Sequence, residues 1–204
     1  MKSAAAPGRV GGYTLVEMLA TLCVAGIVAS LALPSLETLV LDGRRRAVVN
    51  DLLLTLRVAR SETVKRGGRP LVACGIGDLD QDGTVDPDEQ QCSGRDWSDG
   101  WMLGTWDDVD GDATVDTGEL TPVRVFQTGA RGRLAVTTGN FAASPPVQPA
   151  GTLLIKAFGR RTSNGTITIC DRRGPAAARA VIVSPLGRAR VSSTRADGTP
   201  LSCP

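Results

Sequence analysis

The stretch from Gly12 to Pro34, GYTLVEMLATLCVAGIVASLALP, constrains this chain more than any other. Tyr13 to Leu33 is 21 residues long and carries one charge, Glu17. At about 1.5 Å per residue, a helix of that length matches the roughly 30 Å hydrocarbon core of a bilayer. The sequence therefore predicts a helix whose first half, residues 13–34, spans a membrane. An ionised carboxylate inside such a helix costs roughly 2.5–3.5 kcal/mol on insertion scales and is usually kept for a task. Its natural partner is a cation near the helix start. Cleavage after Gly12 would create one, the α-amino group of Tyr13, in the same subunit or a neighbour. A plain signal anchor would account for the length and for Lys2 and Arg9, but not for a glutamate beside a glycine. A cleaved secretory signal could use Ser30-Leu31-Ala32, yet Glu17 sits badly in its apolar region.

Beyond residues 1–34, the 204-residue chain has room for one modest soluble domain. Charge is segregated within it. Cys74 to Glu119 holds 14 acidic residues against one basic, Arg95, whereas Leu120 to Pro204 holds 12 basic against two acidic, Asp171 and Asp197. Two kinds of partner are implied. Of the five cysteines, Cys23 falls inside the apolar helix as a small filler. The other four lie on the exported side, where an oxidising compartment makes Cys74–Cys92 and Cys170–Cys203 the simplest pairing, although four cysteines allow three connectivities. Zinc is a poor alternative, since there is neither a CxxC nor any histidine.

Past Pro34 the helix is expected to continue with a kink. Leu36, Leu39, Val40, Ala47, Val48, Leu52, Leu56, Ala59 and Thr63 recur at three- and four-residue spacing, giving an amphipathic half over residues 35–68. Asp42-Gly43 marks a loosened turn within it, Arg44, Arg45 and Arg46 read as solvated, and Gly67-Gly68 ends it. From residue 69 to 204 the pattern is strands and turns, with acidic loops over 74–119 and a basic half over 120–204. Val123 to Phe126 and Arg133 to Val136 alternate. Thr152 to Phe158 and Thr166 to Cys170 read as a hairpin around Ser163-Asn164-Gly165. Ala180 to Ser184 and Arg188 to Ser192 form a second pair around Pro185-Leu186-Gly187. Trp97, Trp101 and Trp106 are expected to pack onto the helix or sheet. The fold class is α+β: a long N-terminal helix, then a small antiparallel β-rich domain.

Gly12-Tyr13-Thr14-Leu15-Val16-Glu17 resembles the class III leader junction of type IV pilins and type II secretion pseudopilins, with Tyr13 in place of the usual phenylalanine. Glu17, Gly26 and Pro34 fall where pilins carry those residues. The resemblance implies a leader over residues 1–12, removed by prepilin peptidase after Gly12, methylation of Tyr13, and assembly through Glu17 with other major and minor pilins. The site would be the bacterial inner membrane, with the globular domain periplasmic until assembly. Ala59-Arg60-Ser61-Glu62, Val64-Lys65-Arg66, the Trp97-Ser98-Asp99-Gly100-Trp101 element, Leu154 to Gly159, Thr168-Ile169-Cys170 and Gly187-Arg188-Ala189-Arg190 are similar to the GspH/FimT branch of that superfamily.

Asp78, Asp80, Asp82, Thr84 (through its carbonyl), Asp86 and Glu89 fit the spacing of a calcium loop of EF-hand type, with Gly83 at the sharp turn. Asp108, Asp110, Asp112, Asp116 and Glu119 repeat it, with Ala113 where the turn wants glycine. Hard oxygen ligands at alternate positions are what Ca²⁺ requires, so Ca²⁺ is a possible but not a required ligand. Solvated acidic turns are the plainer reading.

The basic half is the functional lead. Arg188 and Arg190, two apart on a strand, project from one face, and Arg160, Arg161, Arg172 and Arg173 fall in turns near by in sequence. Guanidinium suits phosphate. Some FimT-type minor pilins are DNA receptors for natural transformation with a GRxR element, which Gly187 to Arg190 matches. Few aromatics lie near, which favours double-stranded DNA held by its phosphates over stacking on unpaired bases. Without histidine there is no Ser-His or Cys-His pair, and no GxSxG or Walker motif appears, so an enzyme is not expected. A GspH-like minor pseudopilin of the type II secretion system is the alternative to a FimT-like minor pilin.

Overall fold

The computed structural model describes residues 12–77, 86, 91–116, 118–128, 134–139, 141–142, 147–157 and 162–204, and the side chains of all of these except 31–35. The chain forms two compact units, divided between Asp42 and Gly43. One helix, α1 (Leu15–Lys65), runs through both sequences.

The helix begins with a reciprocal cap. Thr14 donates through its N–H and its hydroxyl to Glu17 Oε2, both at 3.0 Å, and the Glu17 N–H returns to Thr14 Oγ1 at 3.3 Å. Thr-x-x-Glu before an apolar run is a capping box. Helical hydrogen bonding passes through Asp42-Gly43 without a break, contrary to the expected loosened turn. Glycine inside a helix costs roughly 0.5–1 kcal/mol, too little to stop one whose neighbours on both sides favour it. At the far end Gly67 and Gly68 take φ of 69° and 87°. The Gly68 N–H reaches the Thr63 carbonyl at 2.8 Å, the six-to-one bond of a Schellman cap.

Within the second unit the helix is covered from Val48 onward. Val48, Leu52, Leu56 and Ala59 pack with Leu71, Ala73, Trp97, Trp101 and Leu103 on one side and with Leu134, Val136, Ile167, Ile169, Val181 and Val183 on the other. The earlier members of the apolar pattern, Leu36, Leu39, Val40 and Ala47, are exposed. Periodicity marks a face that wants cover without saying what covers it. Arg45, read as solvated, is buried. Its Nη1 donates to the Ala177 carbonyl and lies 3.9 Å from Asp171 Oδ2. That correction has a tertiary cause, a carboxylate more than 100 residues away in sequence.

Two antiparallel sheets complete the domain. Sheet A has the order β3-β2-β1-β5, with β1 Leu71–Ile76, β2 Gly100–Trp106, β3 Leu120–Gln127 and β5 Leu153–Ile155. Sheet B has the order β4-β6-β7-β8, with β4 Leu134–Thr138, β6 Gly165–Asp171, β7 Arg179–Val183 and β8 Ala189–Ser192. The hairpin expected around Asn164-Gly165 does not form, because β5 pairs with β1 and β6 pairs with β4 and β7. The intervening segment instead crosses between sheets. Ser163 exchanges hydrogen bonds with Leu154, and Asn164 with Ala142. A strand buried on both faces, as β5 is, has more to gain in a sheet with apolar neighbours than from a local turn. The β7–β8 hairpin forms as expected.

Disulfides join Cys74 of β1 to Cys92 and Cys170 of β6 to Cys203. For loops of 18 and 33 residues each contributes about 3–4 kcal/mol on the chain-entropy model. Trp97 and Trp101 are buried and stacked at 6.3 Å between ring centres, and Trp101 Nε1 donates to Thr55 Oγ1 of α1 at 2.8 Å.

Candidate functional site

The β7–β8 turn is closed by the Gly187 N–H to the Ser184 carbonyl at 2.7 Å, the Ser184 N–H to the Arg188 carbonyl at 2.9 Å, and the Arg188 N–H to Ser184 Oγ at 3.1 Å. Gly187 holds φ at 70°, a conformation in which a side chain would be strained. Pairing of Ile182 with Arg190 continues through Ser184 and Arg188, so the two arginines share a face. It is the face of sheet B opposite Val181 and Val183, which point into the main core. Both arginines are exposed, Arg190 on the last strand of the sheet and Arg188 in the turn just before it. Among the described residues, neither guanidinium has a hydrogen-bond or ion-pair partner.

Of the other candidate arginines, Arg172 and Arg173 are not gathered there. Arg160 and Arg161 lie outside the described residues. Arg172 and Arg173 follow β6, at the opposite end of sheet B. Seven strand positions separate Asp171, the last residue of β6, from the level of Arg188, roughly 23 Å at about 3.3 Å per residue. Arg172 is exposed. Arg173 is committed elsewhere. Its Nε and Nη2 donate to Asp171 Oδ1 and Oδ2 at 3.0 and 2.6 Å, and its N–H to Oδ1 at 2.9 Å. The Asp171 side chain is 0% exposed. The hydrogen bond from the Arg173 side chain, more than any other influence, holds its carboxyl below the usual carboxylate range, against the effect of burial, with the Arg45 charge adding to the shift. Arg173 is therefore a structural partner, which sequence proximity alone could not distinguish from a surface cation.

Of the first acidic loop, Asp78, Asp80, Asp82, Thr84 and Glu89 lie outside the described residues, and Asp86 is exposed. In the second loop, one carboxylate oxygen from each of Asp108, Asp110 and Asp112 lies within 4.8 Å of the others. Ala113 takes φ of 62°, adopting without glycine the turn that the spacing demands. Backbone N–H groups hold the carboxylates: Gly111 donates to Asp108, Asp112 to Asp110 and Thr114 to Asp112, at 2.9, 3.1 and 2.6 Å. Glu119 accepts from the Val109 N–H at 2.8 Å and from Trp106 Nε1 at 3.3 Å. Loss of hydration, then the charges of Asp112, Glu119 and Asp110, raise the Asp116 carboxyl above its ordinary value. Such a group of like charges suits a hard divalent cation.

At the other end of the chain Gly12 and Tyr13 are exposed, and Glu17 is engaged by Thr14 of its own helix. Among the described residues no helix is long and apolar enough to cross a membrane; the stretch read as spanning runs into residues 31–35, whose side chains are not described. Two features escaped the sequence reading. Thr14-x-x-Glu17 carried a legible cap signal, whereas the burial of Arg45 had none.

Comparison with known proteins bears on the whole domain. The family model of the type II transport protein GspH matches residues 48–187, well over half of the chain. No curated protein matches the sequence. The chain is similar to the type IV minor pilin FimU of Pseudomonas aeruginosa strain PAO1 in two crystal forms, at 18% identity in each. The TM-scores are 0.49 and 0.46, covering 77% and 75% of this chain and 96% and 98% of that one. With its N-terminal helix, antiparallel sheets and this family match, the chain belongs to the GspH family of type II transport proteins.

Proposed function

We propose that this protein is a minor pilin that captures double-stranded DNA through the outer face of sheet B, as a step in natural transformation. The observation that carries the reading is the pair Arg188 and Arg190, exposed on one face with no acidic partner among the described residues. Guanidinium groups two strand positions apart follow a phosphate backbone without reading its sequence. The role is binding and assembly rather than catalysis. Prepilin peptidase cuts after Gly12 and Tyr13 is methylated. Residues 13–34 hold the subunit in the inner membrane, with the globular domain in the periplasm. Glu17 exchanges its Thr14 contacts for the α-amino group of a neighbouring pilin as the filament grows.

The test is DNA binding by the full chain in neutral detergent across a salt series, against Arg188→Ala/Arg190→Ala. The expected result is binding that ignores sequence, falls steeply with salt and weakens at least about tenfold in the double variant. The log–log salt slope should be shallower by about two. Absence of binding even at low salt overturns DNA capture. The second reading, a minor pseudopilin of a type II secretion system, then leads, favoured by the description of the matching family itself.

We further propose that the acidic loops take Ca²⁺ to stabilise the exported domain. The second loop supports this with its three converging carboxylates. Saturating Ca²⁺ is expected to raise the melting temperature by several degrees over a chelated sample, at about 2–4 °C per kcal/mol for a domain of this size. Asp110→Ala/Asp112→Ala should remove the part of the rise due to the second loop and Asp78→Ala/Asp82→Ala the part due to the first. Identical melting with Ca²⁺ and with chelator would exclude both.

A further inference from the structure

Beneath the β7–β8 turn lies a cation that none of these readings uses. The guanidinium of Arg60, on α1, approaches Gly187 so closely that a Cβ there would stand 3.2 Å from Nη2, 3.3 Å from Nε and 3.4 Å from Thr162 Oγ1. Nη2 is buried and has no hydrogen-bond partner. Arg60 is half-buried as a whole, but a buried donor atom normally finds a partner, and one left without weakens the fold. Among the described residues no carboxylate is paired with it. Glu62, two residues on, is taken by Lys65 and Arg66, both at 3.1 Å. Arg60 therefore sets an unneutralised positive charge under the turn that presents Arg188, itself without an acidic partner among the described residues. Packing alone leaves the buried Nη2 without a partner. An anion arriving from outside accounts for that.

We propose that Arg60 is a third cation of this face, acting from below on a phosphate group held by Arg188 and Arg190. The inference rests on the DNA-binding reading for its ligand, a phosphodiester, but the anion site itself does not depend on it. Gly187 contributes by having no side chain, so that only backbone separates the bound phosphate from the guanidinium. Because Arg60 is half-buried and its Nη2 fully so, salt screens it less than a fully exposed charge. Arg60 is a positioning and electrostatic residue and does not need to touch the DNA.

The experiment uses the full chain in neutral detergent and two readouts. In the first, Arg60→Gln is expected to weaken DNA binding roughly five- to tenfold with an unchanged or higher melting temperature, because the change removes an unsatisfied buried charge. Arg60→Lys should restore most of the affinity, and Arg57→Gln, an exposed charge on the same helix, should cost much less. A lower melting temperature in Arg60→Gln without rescue by lysine marks a packing role and overturns the inference. So does wild-type DNA affinity in Arg60→Gln when Arg188→Ala/Arg190→Ala has lost binding. In the second readout, the Arg60 Nε–H resonance of the wild-type chain is followed as inorganic phosphate is titrated against chloride at equal ionic strength. A saturable shift with phosphate alone supports the anion site even if DNA does not bind, separating failure of the DNA reading from failure of this one. No phosphate-specific shift overturns it.

Discussion

Asp171→Ala should destabilise the folded domain by about 3–5 kcal/mol, the usual cost of breaking a buried ion pair by removing one partner. The carboxylate is 0% exposed and gathers two arginines, Arg173 in a two-point contact and Arg45 from α1 at 3.9 Å. Its loss takes the opposite charge from beside Arg45, whose side chain is only 9% exposed and keeps its bond to the Ala177 carbonyl, and loosens the turn after β6 from the helix. Asp171→Asn keeps the shape and removes the charge, so it should fall between. Denaturant midpoints of the full chain measure both. The pH dependence has a definite sign. The folded-state pKa of Asp171 is lowered, so its contribution is complete above the unfolded value of about 3.9 and is lost as pH falls through the folded value. Wild-type stability should drop on acidification below about pH 4, whereas the Asp171→Ala variant, already without the pair, should give a flatter curve there. Equal slopes for the two proteins would show that this carboxylate carries no weight in the acid transition.

Trp101→Ala is expected to cost about 3–5 kcal/mol as well, by a different route, the cavity left by a large buried ring. Trp101 is 1% exposed and stacks between Trp97 and Phe126, at 6.3 and 5.6 Å between ring centres. Its indole N–H is bonded to Thr55 Oγ1 of α1 at 2.8 Å. Opposite it on β1 is Gly75, where a Cβ would stand 2.1 Å from the Asp96 carbonyl oxygen and 2.4 Å from the Trp97 ring. The pocket is therefore walled by backbone and collapses poorly. Trp101→Phe keeps most of the ring volume and loses the hydrogen bond, and should cost about 1–2 kcal/mol. Urea unfolding followed by far-UV circular dichroism tests both. A loss under about 1 kcal/mol in the alanine variant would mean that the helix is held to sheet A mainly by the aliphatic stripe from Val48 to Ala59.

What the sequence made legible was whatever depends on near neighbours. Apolar spacing located the helix and its covered face from Val48 onward, Gly67-Gly68 located its end, and Pro185-Leu186-Gly187 located the hairpin that presents Arg188 and Arg190. The disulfides followed from order along the chain. Where distant residues decide, the pattern was silent or misleading. Asn164-Gly165 carries a strong turn signal, yet β5 goes to sheet A because its three buried residues find cover beside β1. Arg45 looked like one of three equivalent surface cations, and only Asp171 makes it different. Arg173, read as a DNA contact, is paired with the buried Asp171, which its place beside Arg172 did not signal. Arg60 matched a family motif with no role attached, and its place under Gly187 became visible only once helix and hairpin were both in position.

The pairing of β1 with β5 has a consequence for how the domain comes to exist. Leu71, Val72 and Ala73 meet Ile155, Leu154 and Leu153 across about 80 residues of chain. Such long-range closures are slow, since loop entropy is lost before the contact returns anything. Until β5 emerges, the growing chain carries β1 with one edge open, and all six of its residues, Leu71 to Ile76, are later buried. An open apolar edge is a template for joining another chain. The period between the appearance of residue 76 and that of residue 153 is therefore when this chain is most exposed to aggregation.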